Sequence, residues 1–257
     1  MSLTKIALRF AAPVPNIETY QRFLFLGPHP DDIEIGAGAT AARLAAVGKE
    51  LCFLICTDGR YGDKYFPAGT GWEEVVSVRK EEAVRSAALL GVRDLRFLDL
   101  SDGGQYDSAA LTGGIAAVIG DFKPDVIFAP DPQTGSECHT DHLNVGQASM
   151  RLACFAPYPG IMAAYGASAA PVQAVALYMT AKPNRFVKTS GCLEKQLEAV
   201  FSCHKSQFPA GSPEEKSVKL YLKLRSADNG LRSLKGNAEG FRVLGQTQMH
   251  CLPEAGL

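Results

Sequence analysis

No apolar run in this chain approaches the roughly 20 residues needed to span a bilayer. No block of lysine and arginine stands out either, and the formal net charge is −1, so a nucleic-acid footprint is not indicated. The first residues, MSLTKIALRFAAPVPNIETYQ, lack a charged segment leading into a long apolar core and a small-residue cleavage site. That predicts a mature, cytoplasmic protein. Cysteine shows no paired pattern: there are seven, an odd count, no CxxC occurs, and Cys52 and Cys56 sit four apart. Reduced, mostly buried thiols are expected rather than a disulfide frame or a cysteine-built zinc site. There is no GxSxG elbow, and the glycine-rich GAGAT (36–40) lacks the lysine of a phosphate loop. GAGAT reads instead as small residues that let a helix approach a sheet.

What is present is an alternation. Hydrophobic residues make up 46% of 257, enough to bury the core of one large domain. Apolar bursts at 22–27, 50–57, 94–100, 125–130 and 172–180 read as buried strands. Between them, 38–48, 73–91, 109–122 and 141–155 read as helices, the first two closed by Gly48 and Gly91. This order predicts an α/β, Rossmann-like fold with a mostly parallel twisted sheet and helices on both faces. From about 181 to 257 a C-terminal helical cap with a short extended end is expected, packed on the same single domain of 1–257. In such sheets ligands bind outside the carboxyl ends of the strands. GPHPDD (27–32), TDGRYGD (57–63) and DPQTGSECHTDH (131–142) all fall there.

His29 and Asp32 are three residues apart, as are His139 and His142, with Asp141 between. Across a turn, residues i and i+3 can face one point. Two imidazoles and a carboxylate with one open position suit a catalytic zinc, whose bound water has a pKa near 7. One carboxylate on the metal and its neighbour taking the water's proton would account for the adjacent pair, with Asp32 as ligand and Asp31 as base. GPHPDD by itself is equally a turn with an N-cap aspartate. The second cluster favours the metal, because three of only five histidines fall in loops on one rim.

HPDD after the first strand, TDG after the second and HTDH after the fourth resemble the LmbE-like, or PIG-L, zinc-dependent N-deacetylases. RKEEAVRSAALLGV (79–92), FLDLSDG (97–103) and HKSQ (204–207) are similar to the family's pattern too, so the resemblance covers roughly residues 20–210. It implies one zinc per chain, or another divalent ion, held by His29, Asp32 and His142. It implies Asp31 as general base, and His139 as cationic partner of the oxyanion and candidate acid. Asp141 would orient a histidine and Arg79 would contact substrate. The partner implied is a small N-acetylated amino sugar, deacetylated by a zinc-bound water. A homo-oligomer is left open. Asp58 would shape the rim or an Asp-Gly turn, and Asp102 would touch a sugar hydroxyl or start a turn. Tyr61, Tyr65 and Trp72 are candidates for stacking on a sugar or anchoring the loop, and His204 for a structural hydrogen bond. Two rival readings are a hydratase of an unsaturated keto-acid on the same scaffold and a non-catalytic sugar- or metal-binding module.

Overall fold

The computed structural model describes residues 3–250 and 252. A helix that the sequence reading did not anticipate, α1 (Leu3–Ala11), precedes β1 (Arg22–Gly27). The expected alternation follows: α2 (Asp32–Ala46), β2 (Glu50–Thr57), α3 (Trp72–Leu90), β3 (Asp94–Leu100), α4 (Ser108–Phe122), β4 (Val126–Pro130), α5 (Thr140–Phe155), α6 (Pro159–Ala164) and β5 (Ala174–Tyr178). These five strands pair in parallel in the order β3-β2-β1-β4-β5. The stretch beyond residue 181 enters the sheet more deeply than a helical cap would. It supplies β6 (Arg185–Lys188), α7 (Leu193–Glu198) with a π turn after it, α8 (Pro213–Ser233), β7 (Ala238–Gly245) and α9 (Gln246–His250). Strand β7 pairs antiparallel with both β5 and β6, completing a seven-stranded sheet. The cysteines among the described residues are free, as their spacing implied. No helix among those residues is long and apolar enough to cross a membrane.

Both faces of the sheet are buried, which is why its central strands read as unbroken apolar runs. In β1, Leu24 and Leu26 pack with Ile115 and Ile119 of α4 and Leu152 of α5. Phe23 and Phe25 point the other way, onto Ile33 and Ala41 of α2 and Ala87 and Leu90 of α3. Helices α2 and α3 therefore cover one face, and α4 and α5 the other. The chain leaves β1 toward the first face and β4 toward the second. These strands are neighbours, so a crevice opens between their carboxyl ends.

Helix α2 starts at Asp32, six residues before the expected Gly38. Its small residues serve close packing, as anticipated: a Cβ on Gly36 would overlap the ring of Tyr178, whose hydroxyl donates to Leu26 O at 2.7 Å. At Ala37 the backbone leaves helical geometry (φ −150°, ψ 15°). The amides just beyond are satisfied from β7, where the Glu239 carboxylate accepts from Ala39 N at 3.2 Å, Thr40 N at 2.7 Å and Gln196 Nε2 at 2.9 Å.

Burial pushes the Glu239 carboxyl up to about 7 despite these donors, from an ordinary value of 4.5. A raised folded-state value contributes stability that is full below pH 4.5 and lost as pH rises through about 7. The loss attributable to this group is on the order of 3 kcal/mol. Glu239→Gln cannot ionise, so urea unfolding of that variant should show a correspondingly flatter fall in stability across this window. A slope equal to the wild type's would mean the pH dependence arises elsewhere.

Candidate active site

The two histidine motifs meet in the crevice. HPDD runs from the end of β1 into α2, and HTDH opens α5 after β4. The His29 Nδ1 lies 3.0 Å from Asp32 Oδ2, and His142 Nε2 lies 3.3 Å from Asp32 Oδ1. These side chains offer donor atoms within 4.8 Å of one another. The far nitrogen of each ring is held by a carboxylate. His29 Nε2 sits 3.0 Å from both Asp102 Oδ1 and Asp141 Oδ2, and His142 Nδ1 sits 3.0 Å from Glu137 Oε2. A nitrogen that donates to a carboxylate behind it leaves the other nitrogen's lone pair facing inward, the arrangement of a metal-ligating imidazole.

The electrostatics favour positive charge at this point. Burial works against protonated His29 and His142, yet the carboxylates hold His29 well above the usual imidazole value and Asp32 raises His142 to about 9. Burial would raise Asp32, but His142 and His29 outweigh it and hold its carboxyl well below the ordinary range. A proton or a cation satisfies such a ring, and two imidazoles with one carboxylate fit zinc chemistry.

Adjacent carboxylates are kept apart by the backbone. Asp31 takes φ 121° and ψ −25°, a conformation rare outside glycine, at the N-cap position of α2, where its side chain makes no capping hydrogen bond, while Asp32 begins the helix. Strain of this kind costs on the order of 1–3 kcal/mol and is typical of functional positions. It sends the Asp31 side chain to Arg79, with Oδ2 3.3 Å from Nη2. Burial raises the Asp31 carboxyl to about 6, with Arg79 pulling against it and the Asp32 charge adding to it.

Arg79 is itself buried, donating to Gly59 O at 2.8 Å and Pro30 O at 2.9 Å. It ties the β1 and β2 loops together beside Asp31, and a Cβ on Gly59 would collide with it. Asp141 is fully buried and, besides His29, accepts from Gly103 N and Gly104 N, both at 2.8 Å. These contacts place it behind the His29 ring. Asp102 opens the turn at Gly103 and Gly104, as one of its two readings had it, accepting from Gly103 N at 2.6 Å, and it also faces His29. Asp58 is taken up by Arg60, 2.9 Å from its Nε, and the Arg60 guanidinium lies over Trp72 at 4.2 Å. Tyr65 is engaged by Glu214. Of the three aromatics only Tyr61 lines the cleft, 60% exposed, with Gly103 against its ring.

His139 stands at the mouth, its side chain 47% exposed and its ring centroid 4.6 Å from that of His29. Its Nδ1 accepts from Asp141 N at 3.3 Å and so caps α5. His204 is fully buried with Nε2 3.4 Å from Glu34 Oε1, an ion-pair distance, and neither ring nitrogen makes the structural hydrogen bond expected of it. The rest of HKSQ braces the cleft: Ser206 N donates to Glu82 at 2.8 Å, and Gln207 Nε2 to Gly62 O at 2.7 Å. Together His29, Asp31, Tyr61, Arg79, His139 and Gln207 border an open cleft of about 310 Å³. Sequence reasoning missed Glu137, whose signal is only an acidic residue two positions before the first histidine of HTDH. It also missed Arg242 of β7, which grips Asp131 at 2.6 and 2.8 Å beneath the β4–α5 loop.

Comparison with known proteins agrees with this fold. Residues 24–153 match the PIG-L family model, described as GlcNAc-PI de-N-acetylase. The diacetylchitobiose deacetylase of Thermococcus kodakarensis is 31% identical over 261 residues, covering 98% of this chain and 93% of that protein. The solved N,N'-diacetylchitobiose deacetylase of Pyrococcus horikoshii superposes with a TM-score of 0.87 at 27% identity, over 98% of this chain and 97% of that one. The 1D-myo-inositol 2-acetamido-2-deoxy-alpha-D-glucopyranoside deacetylase of Kineococcus radiotolerans is 29% identical over 206 residues, 69% of this chain and 56% of that protein.

Replacing Asp141 by alanine removes the acceptor of the Gly104 amide and one of the two carboxylates that serve each of the Gly103 amide and His29 Nε2. Chemical denaturation should register a loss of about 3 kcal/mol. A loss below about 1 kcal/mol would mean that water or Asp102 takes over these contacts.

Proposed function

The chain belongs to the PIG-L family and is a hydrolytic N-deacetylase, and from that premise we propose that it removes the acetyl group from an N-acetylglucosamine-type sugar or short glycoside, with zinc as its metal. The observation that carries this reading is the convergence of His29, Asp32 and His142 on one point, with Asp31 beside them and turned elsewhere. The relatives matched along nearly the whole chain are named for a disaccharide substrate, which favours a chitobiose-sized one here.

His29, Asp32 and His142 would hold the ion. When bound, zinc supplies a Lewis acid that polarises the amide carbonyl and makes water more acidic. Asp31 takes a proton from the attacking water. Its raised pKa, about 6, leaves it ionised at neutral pH yet basic enough for that transfer. Arg79 fixes its orientation through Oδ2 and the two loop carbonyls. Since His139 Nδ1 accepts from the Asp141 amide, the ring's proton sits on exposed Nε2. That Nε2–H is the donor to the oxyanion that forms as the carbonyl is attacked. Asp31 then returns its proton to the nitrogen, and amine and acetate separate. The open face of Tyr61 offers an apolar surface to a pyranose ring.

Acetate release should be followed with zinc-loaded protein on N-acetylglucosamine, its β-1,4 dimer, an inositol glycoside and a malate glycoside. Chelator-sensitive release, fastest on the dimer, is expected; no release from any member would remove the amino-sugar assignment. Asp31→Ala should retain zinc and lose about 10²- to 10⁴-fold in kcat. His142→Ala should lose the metal itself, and full zinc occupancy in that variant, read by elemental analysis, would take His142 out of the ligand set.

A further inference from the structure

Glu137 lies in the loop between β4 and α5, and its two oxygens serve two different histidines. Oε1 accepts the backbone N–H of His139 at 2.8 Å, while Oε2 faces His142 Nδ1 at 3.0 Å. The loop holding it is anchored at several places. Glu137 N donates to Thr134 O at 3.0 Å, Thr134 Oγ1 donates to Met179 O at 3.0 Å, and Asp131 is gripped by Arg242. The carboxylate is therefore presented from a fixed frame rather than by a free surface side chain, and its side chain is only 23% exposed.

We infer that Glu137 is a positioning residue for the metal centre, acting through His142. By accepting from Nδ1 it commits that ring to the tautomer whose Nε2 lone pair faces Asp32. A carboxylate behind a ligating imidazole also strengthens it as a ligand. By holding the His139 amide with its other oxygen, Glu137 joins the ligand His142 and the oxyanion donor His139 to one rigid group. It does for His142 what Asp102 and Asp141 do for His29, from the opposite side of the site. This inference rests on the metal reading above.

The test is zinc affinity of the apoprotein, measured by competition with a chromophoric chelator, for wild type, Glu137→Ala and Glu137→Gln. The alanine variant should bind zinc about 10- to 100-fold more weakly. The glutamine variant should fall between, because its carboxamide oxygen can accept from one of the two donors but not both. Saturating zinc should restore most of the alanine variant's turnover and none of that of His142→Ala. Glu137→Ala binding within about twofold of wild type would overturn the role of Glu137 while leaving the metal centre intact. Should the alanine variant fail to fold, the glutamine variant decides: a loss of about threefold or more supports the role, and wild-type affinity overturns it. A wild type that binds no zinc would overturn the metal reading and this inference together.

Discussion

One imidazole holds this site together. His29 leaves the end of β1, and its two ring nitrogens meet carboxylates from α2, from the loop after β3 and from the first turn of α5. Three segments that are distant in sequence are thereby referred to one planar group. The sheet makes this feasible by placing the ends of β1 and β4 side by side while their chains turn to opposite faces. The ring settles the details, because a hydrogen bond on one nitrogen dictates what the other can do.

The remaining design follows from crowding negative charge out of water. Asp31, Asp32, Asp102 and Asp141 are all buried near His29. Such a group is tolerable only with positive charge or N–H donors around it. Asp141 has two glycine amides, Asp32 has two imidazoles, and Asp31 has Arg79. Adjacent aspartates look self-defeating in the sequence, but an unusual φ at Asp31 sends the two side chains into separate environments. One is held as a strong anion and the other as a weaker acid, a division of roles typical of paired catalytic carboxylates.

The central strands were legible because burial on both faces writes itself as continuous apolar residues. Strand β6 was not, since RFVK is short and partly exposed, and the start of α2 was hidden by its run of small residues. The histidine pairs stood out because three-residue spacing repeats a turn, and repetition survives in a linear sequence. Glu137 and Arg242 had no such signature. Glu137 sits in an irregular loop, and Arg242 meets its partner Asp131 across 111 residues of chain. Asp102 was legible as the start of a turn, but its contact with His29 was not, because that partner is decided by how β3 lies beside β2 and β1. Arg79 was placed correctly near the site, but its burial against two loop carbonyls could only be seen once those loops were folded.

The family match ends at residue 153, and every residue proposed to touch metal, water or amide lies before that point. Yet β7, which begins only at Ala238, sends Glu239 to one face of the sheet to complete α2, and Arg242 to the other to hold the loop that leads into α5. Each of the two helices that carry the proposed ligands Asp32 and His142 thus leans on the same late strand. The chemistry is encoded in the first part of the chain and the geometry in the last. A fragment ending at residue 153 would carry every proposed ligand and lack both of these braces.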